Sequence, residues 1–247
     1  MLKDNKNSVR KLLSLRPTEP LLMNAIKFSI RNPARLGREA LKHFDCAESK
    51  IADLGAKLIK NNIVVFTHCH SSTVVNALKK AKKTKSFKVF NTETRPLYQG
   101  RITAIELNKA GIDVTHFIDS EAEYAISDSD IMVIGADSIT NKSIINKIGS
   151  GMFVNIAKKH GLPVYVLADS WKYDSKETKI EERDAKEVWN TAPKGIKIKN
   201  YAFEKIDIND VDKIISELGV CKPKEFLKNV KINYPWIQGR GDEGVSK

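Results

Sequence analysis

At 247 residues, 41% of them apolar and 7% aromatic, the chain has material for one large domain or a domain with a smaller companion. No apolar run approaches the roughly 20 residues a membrane span needs, and the opening MLKDNKNSVRKLL lacks the apolar stretch of a secretory leader. Cys46, Cys69 and Cys221 form no CxxC pair, which argues against a disulfide framework or a zinc site and for a reducing cytoplasm, while a basic surplus of 12 favours anionic partners, phosphorylated metabolites or nucleic acid. Much of that surplus is solvated lysine: the run Lys79–Lys85 closes a helix, where cations suit the dipole, and no aromatic-interleaved basic stretch marks an RNA surface.

Residues 1–60 read as a helical amino-terminal region. Met1–Leu15 is basic and amphipathic, Pro20–Arg31 forms a second helix, and Asn32-Pro33 caps a third from about Ala34 to Lys60. From Ile63 the pattern changes to short apolar strands alternating with helices. Strands are predicted at Ile63–Phe66, Lys88–Phe90, Asp113–Ile118, Ile131–Ile134 and Pro163–Leu167. Helices are predicted at Thr73–Lys83, Ile102–Ala110, Glu121–Ile126 and Ile144–Lys159. A strand at Ile196–Ile198, a helix near Asp210–Leu218 and a short helix at Lys222–Val230 complete an α/β domain over residues 61–238, followed by a polar tail at 239–247. Strands apolar throughout their length belong to a sheet covered on both faces. The fold class is therefore α/β: a helical region, then a Rossmann-like, doubly wound, mainly parallel sheet with chemistry in the loops at its carboxyl edge.

The chemistry-bearing residues follow strands. Ile63–Thr73, IVVFTHCHSST, runs a strand into Cys69 and then into Ser71, Ser72 and Thr73, hydroxyls suited to a helix N-terminus. In that position a thiol pKa is expected to be lowered, or a phosphate held. After the second strand, Thr92–Gly100 carries Arg95, suited to a carboxylate or phosphate. After the fourth comes Gly135-Ala136-Asp137-Ser138, then Asn146 and Lys147, and after the fifth Asp169-Ser170-Trp171-Lys172. A thiol, a carboxylate and two lysines on one edge suit acid–base work on an anionic substrate. Each residue also has a plain structural reading: Cys69 as a small buried hydrophobe, Asp137 and Ser71–Thr73 as helix caps, Arg95 as an ion pair, Lys147 and Lys172 as solvated lysines. His68 and His70 flank Cys69 with no third ligand evident, so no metal is expected, and Gly149 stands without a GxGxxG, so no dinucleotide cofactor is expected.

Taken together, THCHSS, TETRP-x-x-QG, GADSIT and INKIG, in this order and spacing from about Arg16 to Trp236, resemble a known superfamily. It unites the alpha, beta and delta subunits of translation initiation factor 2B with methylthioribose-1-phosphate isomerase and archaeal ribose-1,5-bisphosphate isomerase. The likeness to the last is greatest, through Arg16-Pro17-Thr18 and THCHS. The resemblance implies an isomerase needing no cofactor, with Cys69 as base and Asp137 as acid. Substrate contacts would fall on Arg16, Ser71, Ser72, Thr73, Asn146, Lys147 and Lys172, and the substrate would be a phosphorylated pentose bound by a homo-oligomer. These isomerases begin with an Arg-Gly-x-Gly loop that touches substrate phosphate, and the sequence is expected to lack it. The resemblance also admits a non-enzymatic regulatory subunit that contacts initiation factor 2. Methylthioribose-1-phosphate isomerisation ranks lower, because that enzyme follows its cysteine with Asn-Ala-Gly where this chain has His70-Ser71-Ser72.

Overall fold

Asn32 sets the start of the longest helix: its side-chain oxygen accepts from the Arg35 amide while Pro33, with no N–H to satisfy, opens the first turn. In the computed structural model, which describes residues 19–176, 180 and 182–238 together with 9 and 11, this helix is α2 (Pro33–Leu58), preceded by α1 (Pro20–Ser29). Both stop within two residues of the predicted ends. The expected helix Met1–Leu15, Arg16 and the expected tail at 239–247 lie outside the described residues, apart from residues 9 and 11.

The alternation that follows is β1 (Val64–Thr67), α3 (Ser72–Lys82), β2 (Lys88–Thr92), α4 (Gln99–Lys109), β3 (Asp113–Phe117), α5 (Ala122–Ser127) and β4 (Ile131–Ile134). A two-residue strand β5 (Ser138–Ile139), β6 (Ser143–Lys147), α6 (Ser150–Lys159) and β7 (Val164–Leu167) come next. After an irregular stretch the chain ends in β8 (Phe203–Asp207), β9 (Lys213–Ser216), β10 (Gly219–Cys221) and α7 (Pro223–Asn233). Seven strands form the main sheet in the order β10-β9-β7-β4-β1-β2-β3, parallel except for the β9–β10 hairpin. A small antiparallel sheet, β5-β6-β8, sits beside its carboxyl edge.

Adjacent residues of each central strand face opposite layers. Val65, Ile131, Val133 and Ile215 join Ile51 of α2 and Val74 and Leu78 of α3 in one core, whereas Phe66, Met132, Ile134 and Ile214 join Phe153 of α6 and Phe226 of α7 in the other. Full burial of side chains of this size stabilises by about 1.5–3 kcal/mol each, so the two layers fix the sheet between them. The helical region is part of this sandwich: α2 approaches α3 and β7 so closely that a Cβ on Gly55 would lie 2.8 Å from both Ala77 and Leu167. Among the described residues no helix is long and apolar enough to cross a membrane.

Three expectations are corrected. The predicted helix Ile144–Lys159 is strand β6 followed by helix α6, because Gly149 takes φ 99° and breaks the run, and Ile144 and Ile145 are buried against the neighbouring strands. The predicted helix at Asp210–Leu218 is strand β9. Val211, Ile214 and Ile215 have helical spacing, but pairing with β7 sends Ile214 and Ile215 to opposite faces of the sheet. Ile196–Ile198 is not a strand; Ile196 is exposed and the strand lies later, at β8.

Gly100, inside the first turn of α4, shows where the packing tolerates no side chain: an added Cβ would sit 1.7 Å from the Thr92 carbonyl oxygen. Gly100→Ala should therefore destabilise by about 3 kcal/mol or more, whereas Gly37→Ala on α2, which meets nothing within 4 Å, should stabilise by about 0.5–1 kcal/mol. Urea denaturation midpoints of the two variants against the parent check both signs.

Candidate active site

The strand order reverses beside β1. From β1 the chain winds outward through β2 to β3, then returns to lay β4 on the other side of β1, in the register Val65↔Ile131 and Phe66↔Met132. Loops leaving two such strands diverge and open a crevice at the carboxyl edge. Cys69 follows β1 and Asp137 follows β4, so the topology brings the thiol and the carboxylate to the same crevice. The loops touch: a Cβ on Gly135 would stand 2.6 Å from the Ser71 hydroxyl, and the charge of Asp137 acts on the Cys69 sulfur.

Cys69 adopts a left-handed backbone, φ 67°, rare for a residue with a side chain. Its amide donates to Thr94 Oγ1 at 3.0 Å and its carbonyl accepts from Thr103 Oγ1 at 2.9 Å, so the turn after β2 and helix α4 hold both ends of the residue. Thr94 is itself left-handed, φ 64°, and its amide and that of Arg95 donate to the two oxygens of Asp119 at 2.9 and 2.7 Å. Ser71 caps α3, accepting from the Val74 amide at 3.4 Å. Ser72 is exposed and Thr73 half-buried in the first turn of that helix, next to Cys69.

The expectation that this setting lowers the thiol pKa is corrected. Burial pushes Cys69 up to about 11; the His70 amide and the Lys147 ammonium favour the thiolate, but they do not offset the loss of water. Asp137 and Asp119 push it the same way as burial.

Lys147 is not the solvated surface lysine of the plain reading. It ends β6 and is 4% exposed, with its charge acting on both Cys69 and His68. Asn146 beside it is 5% exposed and donates to Ser150 Oγ at 2.9 Å. Asp137 caps no helix: it enters the β5–β6 hairpin, its amide donating to the Ile145 carbonyl at 2.8 Å. Lys172 lies in a single 3-10 turn, Ser170–Lys172, and its Nζ donates to the Ala136 carbonyl at 2.6 Å, the peptide preceding Asp137. The structure thus gathers Cys69, Ser71 and Lys147 with the Asp137 turn and Lys172. Arg95 is exposed and already engaged, donating to Tyr98 Oη at 2.7 Å and to the Val188 carbonyl at 2.9 Å and so clasping two loops.

Sequence reasoning left His68 without a function. It is 2% exposed and bridges three segments: Nε2–H donates to the Ile148 carbonyl at 3.1 Å, so Nδ1 accepts from the Thr92 hydroxyl at 2.7 Å, and Phe153 meets the ring edge-on. The signal was the apolar strand running straight into it, which marks a buried position. One further trio, His43, Asp169 and Glu217, brings its ligand atoms within 4.8 Å of one another. These atoms are already bonded: His43 Nε2 lies 3.1 Å from Asp169 Oδ1, the Ser170 amide donates to Glu217 Oε2 at 3.1 Å and its hydroxyl to Glu217 Oε1.

Burial also lowers the His68 pKa from 6.5 to about 4. The folded state therefore binds fewer protons than the unfolded chain below pH 6.5, so stability is full above that pH and is lost as pH falls toward 4. The loss attributable to this imidazole is on the order of 3 kcal/mol. Chemical denaturation of parent and His68→Gln between these pH values checks it; the acid-dependent loss should be smaller in the variant by about that amount.

The Initiation factor 2 subunit family model matches residues 4–223. The chain is 38% identical over 236 residues to the ribose 1,5-bisphosphate isomerase of Archaeoglobus fulgidus, covering 86% of this chain and 74% of that protein. With the ribose 1,5-bisphosphate isomerase of Methanocaldococcus jannaschii it shares 35% identity over 255 residues, covering 94% of this chain and 83% of the relative. Among solved structures, the translation initiation factor eIF-2B of Pyrococcus horikoshii OT3 superposes with a TM-score of 0.80 at 28% identity, over 90% of this chain and 83% of that one. A match of this extent, on a fold whose carboxyl-edge crevice carries all four sequence motifs, makes the chain a member of the Initiation factor 2 subunit family.

Proposed function

We propose that the protein is a sugar-phosphate isomerase converting ribose 1,5-bisphosphate to ribulose 1,5-bisphosphate. The observation that carries this reading is that Cys69 and Asp137 lie on the loops after β1 and β4, near enough for the carboxylate charge to act on the thiol, with the buried ammonium of Lys147 acting on it too. Two ribose 1,5-bisphosphate isomerases among its relatives support the substrate class.

In this mechanism the Cys69 thiolate takes the proton from C2 of the sugar. The released pair forms the C1–C2 double bond, the bond from C1 to the ring oxygen breaks, and Asp137 gives its proton to that oxygen. The Asp137 carboxylate then accepts the proton of the C2 hydroxyl as the carbonyl forms, and the Cys69 thiol returns its proton to C1. Atoms and charges balance, and both groups end as they began. Lys147 opposes the negative charge that develops beside the sulfur, while Lys172, Asn146 and the hydroxyls of Ser71, Ser72 and Thr73 hold the phosphates and the sugar. Arg16 would be a further phosphate contact, and association into a homo-oligomer belongs to the same proposal. The chemistry calls for no cofactor.

The likeness to translation initiation factor eIF-2B favours a second reading, a regulatory subunit that binds an initiation factor 2 subunit and turns over nothing. That role makes no use of a buried thiol beside a carboxylate. Turnover assays with ribose 1,5-bisphosphate separate the two. Under the isomerase reading, Cys69→Ser and Asp137→Asn each lower kcat by about 10²–10⁴-fold. Absence of turnover together with stable binding of an initiation factor 2 subunit establishes the second reading instead.

The pH profile gives an independent sign. With burial holding the thiol far above neutrality and the thiolate the active form, the residual kcat/KM of Asp137→Asn, in which no acid has to stay protonated, should climb by about tenfold per pH unit through neutral pH. A profile flat between pH 7 and 9 removes Cys69 as the base.

A further inference from the structure

We propose that Asn24, on α1, is the positioning residue for Lys172: its side-chain amide fixes the peptide carbonyls on either side of the lysine and so sets where the ammonium meets the Ala136–Asp137 turn. The functional part of this inference rests on the isomerase reading, in which Lys172 touches substrate.

Asn24 is 3% exposed, and its Nδ2 donates both hydrogens across the fold, to the Trp171 carbonyl at 2.7 Å and to the Tyr173 carbonyl at 2.9 Å. A carboxamide alone among small side chains carries two donors on one nitrogen; a hydroxyl carries one and a carboxylate none. The two carbonyls belong to the neighbours of Lys172. Trp171 is wedged from the amino-terminal side as well, stacked on His43 with centroids 4.0 Å apart and flanked by Phe28 at 5.1 Å. Tyr173 is tied from the other side, where its hydroxyl donates to Asn141 Oδ1 at 3.0 Å and its backbone bridges Ile139. With the residues before and after it immobilised, Lys172 extends to the Ala136 carbonyl. That carbonyl and the Asp137 N–H belong to one peptide group, whose oxygen is held by Lys172 and whose hydrogen is held by the Ile145 carbonyl. The plane of the peptide that carries Asp137 is thereby set from both ends. Asn24 reaches this peptide only through Lys172.

A residue that merely glued α1 to the sheet would cost stability when replaced but would leave the lysine where it is. The test uses the full chain carrying Asn24→Leu, which keeps the branched shape and removes both donors. Competitive acetylation of lysines, read by mass spectrometry, should show Lys172 labelled several-fold faster than in the parent, with the remaining lysines unchanged. In turnover of ribose 1,5-bisphosphate the variant should lose between about tenfold and a hundredfold in kcat/KM. In a Lys172→Met background the same substitution should cost little further, because its effect runs through the side chain already removed. Should Asn24→Leu fail to fold, Asn24→Ser, with one donor in place of two, should show the same pattern at smaller size. Unchanged Lys172 labelling in a folded variant, or losses that multiply in the double mutant, overturns the proposal. If the parent itself turns over no sugar phosphate, the isomerase reading fails separately and the labelling alone decides whether Asn24 positions Lys172.

Discussion

The pairing of β1 with β4 is the contact on which the rest of the site depends. Val65 opposite Ile131 and Phe66 opposite Met132 are buried on both faces of the sheet, so the register cannot slip without driving apolar side chains into the wrong layer. That register determines how far the Cys69 loop and the Asp137 loop project past the same edge. It also explains why residue 135 is glycine: the two loops cross so closely that the Ser71 hydroxyl occupies the volume a Cβ would take. A reader of Ser71 alone sees a helix cap, and the cap is real; its second duty is to define one wall of the crevice.

The electrostatics of the crevice follow from its burial. Taking the thiol out of water raises its pKa more than the His70 amide and the Lys147 charge lower it, so the unliganded protein holds Cys69 mainly as a thiol at neutral pH. A buried ammonium is costly by itself, and so is a buried thiolate. Lys147 and Cys69 lessen each other's cost only when the sulfur is deprotonated. The pair therefore stores a preference that a proton acceptor can use at the moment a carbon acid is presented to it, and that water outside cannot neutralise. His68 contributes no charge to this balance: its depth, aided by the Lys147 charge, outweighs the Ile148 carbonyl and keeps the ring neutral, and it fastens the end of β1 to the turn that carries Lys147.

What the sequence made legible was periodic and local. The strands through β4, the Asn32 cap and the ends of α3 came from apolar runs bounded by polar residues, and the βαβ rhythm implied a parallel sheet with its chemistry on one edge. The misreadings share a physical cause. Ile144-Ile145 with Phe153-Val154, and Val211 with Ile214-Ile215, have spacings that fit a helix and a strand equally, and only tertiary pairing decides between them. The pKa of Cys69 was misjudged because a helix N-terminus is visible in sequence and burial is not. Lys147 escaped recognition as a buried charge for the same reason. Asn24 was invisible: nothing local distinguishes an asparagine on a helix surface from one whose amide reaches carbonyls 147 and 149 residues away.

These networks divide the crevice into two halves. The thiol half is held from within the sheet, by Thr94, Thr103 and His68 acting between neighbouring strands and α4. The carboxylate half is held from outside it, by the amino-terminal helices acting through Asn24, His43 and Phe28 on the Ser170–Tyr173 segment. The amino-terminal helices touch both halves: α2 packs on α3, where a Cβ on Gly55 would lie 2.8 Å from Ala77, while α1 reaches the Ser170–Tyr173 segment through Asn24. Proton transfer between a thiol, a sugar and a carboxylate requires all three within hydrogen-bond reach at once. Because α2 backs α3 and α1 backs the segment that carries Lys172, the setting of the Asp137 turn against Cys69 is a property of the helical region as much as of the sheet. That region, outside the βαβ pattern that marked the site in sequence, is thereby part of the catalytic apparatus in the isomerase reading.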